Sequence, residues 1–133
     1  MKARINAIAS LEEYFFDEGC HIIELLNADD DPDVSIARAR VEPGGVTRWH
    51  RLVGTVERYV ITAGRGRVEV SDLAPRDVGP GDTVLIPAGE RQRITNTGTD
   101  DLVFLAICSP RFTAAAYSDI EGDVPTPTPG QGA

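Results

Sequence analysis

The chain has 133 residues and a formal net charge of −8, with 41% hydrophobic and 26% charged residues. This length suits a single globular domain with a buried core. The negative charge argues against binding to nucleic acid or to an anionic membrane surface, because both need a basic patch. No apolar run is long enough to span a bilayer or to form a signal-peptide core, so the sequence predicts a cytoplasmic protein.

The N-terminal part, residues 1–35, predicts a short helical turn and a leading strand. Ser10 can cap a helix with Glu12 near its positive end, and the apolar residues that follow can share one face. CHIIELLN, residues 20–27, then has the composition of a strand. It contains one of only two cysteines, a number that favours buried reduced thiols over a disulfide framework.

The central part, residues 36–118, reads as a barrel of short strands. Its runs are rich in Val, Ile and Leu and are divided by Gly, Pro, Asn and Asp: SIARARVEP, VERYVITAG, GRVEVSDL, DTVLIPAG, QRITNTG and LVFLAICSP. No long helical segment separates them, which favours an all-β antiparallel sandwich or barrel over a parallel sheet. Residues 119–133, with alternating prolines and little apolar content, predict a disordered tail.

One stretch, TRWHRLVGTVERY at residues 47–59, combines strand alternation with polar side chains. By parity Arg48 and His50 share one face, and Glu57 and Tyr59 share a face of the next strand. A reversal at Gly54 and Thr55 would fold the second strand back beside the first and bring His50 and Glu57 into one cavity. The alternative is an ordinary hydrogen-bonded His–Glu pair near the surface.

Two further side chains of this stretch are candidates for catalysis. Arg48 could clamp a carboxylate or phosphate of a ligand, or it could be a solvent-exposed rim residue. Tyr59 could donate a proton or anchor a ligand, or it could simply pack in the barrel core.

The spacing of this stretch resembles the first motif of the cupin superfamily, and GDTVLIPAGERQRITN resembles the second. The matching positions are Gly44, His50, Glu57 and Gly64 in the first motif, and Gly81, Pro87, Gly89 and Asn96 in the second. The resemblance covers about residues 40–110. It implies a cupin-type antiparallel double-stranded β-helix, or jelly-roll barrel, preceded by the short N-terminal helical segment.

Cupins typically bind a divalent metal through two histidines and a glutamate of the first motif and a histidine of the second. The corresponding residues here are His50, Leu52, Glu57 and Gln92. Leu52 has no donor atom, whereas Gln92 could offer its amide oxygen, as glutamine does in some metal-dependent cupins. The resemblance thus implies a site for Fe, Mn, Ni or Zn at His50, Glu57 and Gln92, or a pocket that has lost its ion.

The resemblance leaves three functions open. The first is a metal-dependent enzyme of isomerase, dioxygenase, lyase or hydrolase type acting on a small anionic or oxygenated molecule, and the second is a non-catalytic metabolite-binding protein without metal. The third is metal-independent epimerase chemistry, in which a His–Asp couple and a Tyr transfer protons; no aspartate near His50 in the sequence is placed to orient it. Small barrels of this kind commonly form homodimers, which the apolar N-terminal segment could support.

Overall fold

The structure of the protein is a computed structural model, which describes residues 1–123. Its strands are β1 (Tyr14–Phe16), β2 (Cys20–Leu26), β3 (Ser35–Val41), β4 (His50–Leu52), β5 (Val56–Ala63), β6 (Gly66–Val70), β7 (Arg76–Val78), β8 (Thr83–Ile86), β9 (Gln92–Asn96), β10 (Leu102–Ser109) and β11 (Tyr117–Asp119). One sheet has the order β1-β2-β3-β10-β5-β8 and the other β11-β4-β9-β6-β7. Every described strand pair is antiparallel, which confirms the predicted all-β jelly-roll barrel.

Strand alternation produces the core between the two sheets. In β10 every second residue is buried, beginning with Leu102, and β5 has the same period with Tyr59 and Ile61 turned inward. These side chains pack against Ile94 and Val68 of the opposite sheet. The seven apolar runs identified in the sequence all contain strands, because a period of two in hydrophobicity is what a sheet with one buried face requires.

The short helical turn predicted near the N-terminus is present only as one 3-10 turn, Ile8–Ser10, which ends at the residue expected to begin it. Tyr14 and Phe15, expected on the helical face, belong to β1 instead. The aromatic residues of β1 favour a strand, and pairing with β2 allows Phe16 to pack against the barrel core. That tertiary contact outweighs the capping signal at Ser10, whose side chain caps no helix.

The predicted hairpin between β4 and β5 is also wrong. Gly54 does adopt a positive φ of 74° in the connection, but β4 pairs with β9 and β11 whereas β5 pairs with β8 and β10. The chain therefore crosses from one sheet to the other between Leu52 and Val56. His50 and Glu57 approach each other across the barrel interior rather than along neighbouring strands.

The C-terminal part of the described chain closes one edge of the second sheet. β11 pairs with β4, including Asp119 opposite His50, and Glu121–Asp123 forms a 3-10 turn. The tail predicted from residue 119 thus begins with ordered chain, and its remainder, residues 124–133, lies outside the described residues. Among residues 1–123, no helix has the length and apolarity needed to cross a membrane.

Candidate functional site

A cavity opens between the two sheets at the end where β1, β4 and β11 meet. Its walls come from β1, β2, β3, β5 and β10 on one side and from β4 and β11 on the other, and its empty volume is about 550 Å³ including the space at the mouth. Most of the lining is apolar or aromatic. The polar exceptions are Glu18, Glu24, Ser35, His50, Glu57 and Cys108, together with the tyrosine hydroxyls. A mainly apolar cavity with few polar groups is typical of a small-molecule site.

His50 is the most constrained polar residue of the cavity wall. Its ring is 2% exposed, and it stacks on Tyr117 with 5.2 Å between ring centroids. Nδ1 lies 2.7 Å from the carbonyl oxygen of Arg48, and because a carbonyl only accepts, Nδ1 carries a proton and donates it. Nε2 is therefore the nitrogen that can take up or release a proton inside the cavity.

Glu18 faces that nitrogen. Its Oε2 lies 3.4 Å from His50 Nε2, and its side chain is 12% exposed. With Nδ1 already protonated, this contact is favourable only when one proton lies between Nε2 and Oε2, either as imidazolium with carboxylate or as imidazole with carboxylic acid. We call these two side chains the Glu18–His50 pair.

The backbone holds the Glu18–His50 pair together. The carbonyl of Glu18 accepts a hydrogen bond from the Arg48 amide at 2.7 Å, and the carbonyl of Arg48 accepts the hydrogen bond from His50 Nδ1. The turn between β1 and β2 is thus hydrogen-bonded to the residues before β4. The contact between the Glu18 and His50 side chains links the same two segments a second time. This closed ring of three contacts fixes the imidazole orientation without a metal.

Glu57 lines the same cavity from β5. Its Oε1 is buried and has no hydrogen-bond partner among the described residues. Burial and the negative charge of Glu18 raise the pKa of Glu57 to about 7, against the opposing effects of His50, the neighbouring Gln92 amide and the Cys108 thiol. Near neutral pH this carboxyl group is therefore available in both its charged and its neutral form.

Tyr59, which also lines the cavity, is hydrogen-bonded to Gln92. The Tyr59 hydroxyl donates to Gln92 Oε1 at 2.5 Å, and both side chains are buried. Burial raises the pKa of Tyr59 well above its usual value, so the hydroxyl stays protonated and keeps this bond. Gln92 is the partner of His50 in the β4–β9 register, and its amide nitrogen has no hydrogen-bond partner among residues 1–123.

Arg48 does not face the cavity. Its exposed guanidinium pairs with Asp119, with Nε 2.7 Å from Oδ2, and Arg48 is absent from the cavity lining. The parity argument fails because regular strand geometry begins only at His50, so alternation does not extend back to Arg48. The Arg48 guanidinium, which was predicted to bind an anion, therefore lies outside the cavity, whereas the Arg48 backbone carbonyl orients His50.

The two thiols act as hydrogen-bond donors to the cavity carboxylates. Cys20 Sγ donates to Glu18 Oε1 at 3.0 Å, and Cys108 Sγ donates to Glu57 Oε2 at 3.8 Å. Both cysteines are free and buried, as the sequence predicted. Burial and the nearby carboxylates raise the pKa of each thiol, which keeps the protons on sulfur and makes both groups poor nucleophiles.

The donor set at the cupin metal position does not fit a divalent ion. Leu52 offers no donor, and Gln92 uses its oxygen for Tyr59 while presenting an amide nitrogen as its unpartnered atom. Within residues 1–123, no group of three or more His, Cys, Asp or Glu side chains has the arrangement of a metal site.

Glu18 is the site residue that the sequence did not reveal. It lies 32 positions before His50, in a turn that was expected to follow a helix, and nothing in its spacing links it to either motif. Its burial next to an imidazole depends on the pairing of β1 with β2 and on the contact with the residues before β4. A carboxylate followed by glycine in a predicted turn is too common a pattern to identify it.

Fold and cavity together define a small single-domain β-barrel of the double-stranded β-helix class. The sequence matches the cupin domain family over residues 37–108, which is more than half of the chain. The chain belongs to this family, whose members often bind metals. No curated protein sequence matches the chain.

Three solved structures illustrate the structural likeness. KdgF from Halomonas sp. is 16% identical with a TM-score of 0.75, and the match covers 86% of this chain and 99% of that one. A predicted oxalate decarboxylase from Thermotoga maritima is 23% identical with a TM-score of 0.71, covering 80% and 99%. The nucleoside dehydratase Pac13, a Streptomyces protein, is 16% identical with a TM-score of 0.74, covering 94% and 100%. At these identities the likeness shows the fold.

Proposed function

We propose that this cupin binds a small molecule in its barrel cavity and exchanges a proton with it through the Glu18–His50 pair, without a divalent metal. The observation that carries the proposal is the fixed imidazole: Nδ1 donates to the Arg48 carbonyl, and Nε2 lies 3.4 Å from Glu18 inside the cavity. A histidine oriented in this way by one hydrogen bond and facing a carboxylate is the arrangement that general acid–base catalysis uses.

The chemistry follows from where the proton can reside. With the proton on Nε2, His50 can protonate a ligand atom while Glu18 stabilises the imidazolium before transfer; with Nε2 free, His50 can remove a proton. Glu57 supplies a second group that can gain or lose a proton near neutral pH. Tyr59 remains a candidate to support this chemistry through Gln92, whereas Arg48 is left out because its guanidinium pairs with Asp119.

The proposed substrate is a small oxygen- or nitrogen-bearing molecule. Structurally similar proteins include enzymes, and a structure of a Pac13 variant contains uridine, a neutral nucleoside. Those likenesses make uridine a reasonable probe for this chain. The anionic ligand predicted from the sequence depended on a bound divalent metal and on Arg48 facing the cavity, and it is not retained.

A proton-exchange experiment tests the proposal. A panel of small metabolites that includes uridine is screened for molecules that raise the melting temperature. Each hit is then incubated with the protein in D₂O, and NMR records deuterium entering a carbon-bound position of the ligand, or a new product. We expect exchange or turnover with the wild type and its loss in His50→Gln.

The chain provides a matched control for this experiment. His21 is its other histidine, and its ring is paired with Glu42 outside the cavity lining. His21→Gln should exchange ligand protons as the wild type does. Hits that bind without exchange would support the non-catalytic binding function instead, and the complete lack of hits from a broad panel would contradict both.

The divalent metal of the family is tested independently. Because the donors at His50, Glu57 and Gln92 do not fit such an ion, we expect Fe²⁺, Mn²⁺, Ni²⁺ and Zn²⁺ to leave the melting temperature unchanged and EDTA to have no effect. Metal analysis after purification without chelators should give well under one ion per chain. A stoichiometric ion that His50→Gln or Glu57→Gln removes would restore the metal-dependent enzyme as the better proposal.

We also propose that the chain forms a homodimer, as the sequence suggested. Five large apolar residues within the first fifteen have exposed side chains: Met1, Ile5, Ile8, Tyr14 and Phe15. We call them the N-terminal apolar group. Burying such residues against a second copy would remove apolar area from water, which is the main driving force of association.

A further inference from the structure

The ionisable residues of the cavity lining are mostly acidic. Three carboxyl groups, Glu18, Glu24 and Glu57, line the cavity, and no lysine or arginine of the described chain does so. Of the three, only Glu18 has a basic side chain, His50, in salt-bridge contact. A buried carboxylate is stable only when a cation or several hydrogen-bond donors compensate its charge. The cavity lining therefore lacks a positive charge for Glu24 and Glu57.

Two carboxyl oxygens confirm that the lining is incompletely paired. Glu57 is 8% exposed, its Oε1 has no hydrogen-bond partner among the described residues, and the nearby Gln92 amide and Cys108 thiol are uncharged donors. Glu24 Oε2 is likewise buried without a partner, while its Oε1 accepts only a long bond of 3.4 Å from the Tyr14 hydroxyl. Both oxygens are acceptors, so the group that would complete them is a hydrogen-bond donor.

The other residues lining the cavity indicate which kind of hydrogen-bond donor would fit there. Aromatic rings line the cavity from several elements, namely Tyr14, Phe16, Tyr59, Phe104, Phe112 and Tyr117. The face of an aromatic ring attracts a cation, and a ring and a carboxylate together can bind an organic ammonium group. A bare metal ion is a poor fit, since within residues 1–123 no three ionisable ligands converge. The net charge of −8 adds a field that attracts cations.

We propose that the cavity selects a small organic cation, a protonated amine, whose N–H groups bind the unpaired oxygens of Glu57 and Glu24 and whose carbon part packs on the aromatic wall. This inference rests on the proposed function in so far as that function requires a ligand in this cavity. It goes further by assigning the ligand's charge.

Ligands that differ only in headgroup charge provide the test. Benzylamine, benzyl alcohol and benzoate share one ring, and propylamine, propanol and propionate repeat the comparison with a thinner carbon chain. Binding is measured near pH 7 by calorimetry and by the change in melting temperature. In at least one series the amine should bind at least tenfold more tightly than the alcohol, and the carboxylate should bind most weakly.

A charge-removing variant locates the effect. Glu24→Gln keeps the shape of the side chain and should weaken amine binding several-fold while leaving the alcohol unchanged. Glu12→Gln, at an exposed position outside the lining, should change neither. A melting temperature of Glu24→Gln close to that of the wild type verifies that the variant is folded, and the comparison of headgroups on the wild type does not depend on it.

The outcomes separate this inference from the proposed function. If the alcohol or the carboxylate binds as tightly as the amine, or if neither amine binds, selection of a cation is overturned. The proton exchange that His50 is proposed to carry out is judged by deuterium entering a ligand, which any bound metabolite can report. Deuterium exchange into a neutral ligand together with no preference for amines would therefore reject this inference alone.

Discussion

Glu57 is a residue whose buried environment changes its chemistry near neutral pH. It is buried, one of its oxygens has no partner among the described residues, and its pKa is raised to about 7 from an ordinary value of 4.5. Since the folded state holds this proton more tightly than the unfolded state, the associated stability is fully present below about pH 4.5. It is lost as the pH rises through about 7.

The substitution Glu57→Gln should therefore change stability in a pH-dependent way. A neutral amide avoids the cost of a buried charge, so the free energy of unfolding of the variant relative to the wild type should be more favourable at about pH 8.5 than at about pH 5. The expected difference is up to about 3 kcal/mol, from the linkage between pKa and stability. Urea denaturation at the two pH values measures it.

This measurement needs identical conditions for both proteins and a control substitution at the surface. Glu18, His50, Gln92 and Cys108 all affect the pKa of Glu57, so both proteins are compared under identical conditions at each pH. Glu12→Gln, an exposed substitution of the same kind, should give the same relative stability at both pH values. If Glu57→Gln did so too, Glu57 would have an ordinary pKa in the folded protein.

At the scale of elements, the strands were predictable because hydrophobic alternation is local. The run LVFLAICSP became β10, with Leu102, Phe104, Ala106 and Cys108 buried in turn. The two cupin motifs likewise identified His50 and Glu57, which line one cavity. These features depend on residues near each other in the chain, where periodicity and spacing carry the information.

Features that depend on contacts distant in sequence were not predictable. The change of sheet between β4 and β5 follows from pairing with β9 and β10, and the Glu18–His50 contact follows from the way the β1–β2 turn meets the residues before β4. The error at Arg48 has a related origin, since three irregular residues precede His50. Sequence parity holds only inside a strand, and the sequence does not mark where β4 starts.

The β1–β2 turn that positions Glu18 depends on Gly19. This residue has a φ of +109°, and a Cβ atom there would lie 2.9 Å from the carbonyl oxygen of Val46. Gly19→Ala should lower the free energy of unfolding by about 1–3 kcal/mol, through backbone strain and this collision. It should also move Glu18 away from His50 and so weaken ligand proton exchange even where the variant remains folded.

A substitution at a second glycine distinguishes the effect of backbone strain from the effect of the steric collision. Gly54 has a φ of +74°, and an added Cβ would have no neighbour within 4 Å. Gly54→Ala should therefore cost less stability than Gly19→Ala in chemical denaturation, and it should leave proton exchange unchanged. Equal losses of stability, with proton exchange retained in both variants, would show that the close approach of Gly19 to Val46 does not position Glu18.

At the scale of the whole molecule, the six-stranded sheet has two edges with different surfaces. β1 carries Phe15, 59% exposed, next to the other members of the N-terminal apolar group in sequence, whereas β8 carries Leu85, 61% exposed. An unpaired edge strand with apolar neighbours is suited to pairing with a second copy. The β1 edge has the larger set of exposed apolar side chains, so we expect the dimer to form there.

Light scattering coupled to size-exclusion chromatography tests this arrangement. The wild type should have twice the chain mass of 14.3 kDa. Phe15→Glu should shift the protein toward the monomer, because a charge buried at the interface without a partner is strongly unfavourable. Leu85→Glu introduces the same charge at the opposite edge and should leave the mass unchanged. A monomeric wild type would reject the dimer, and dissociation by Leu85→Glu instead of Phe15→Glu would move the interface to the β8 edge, away from the strand that leads into Glu18.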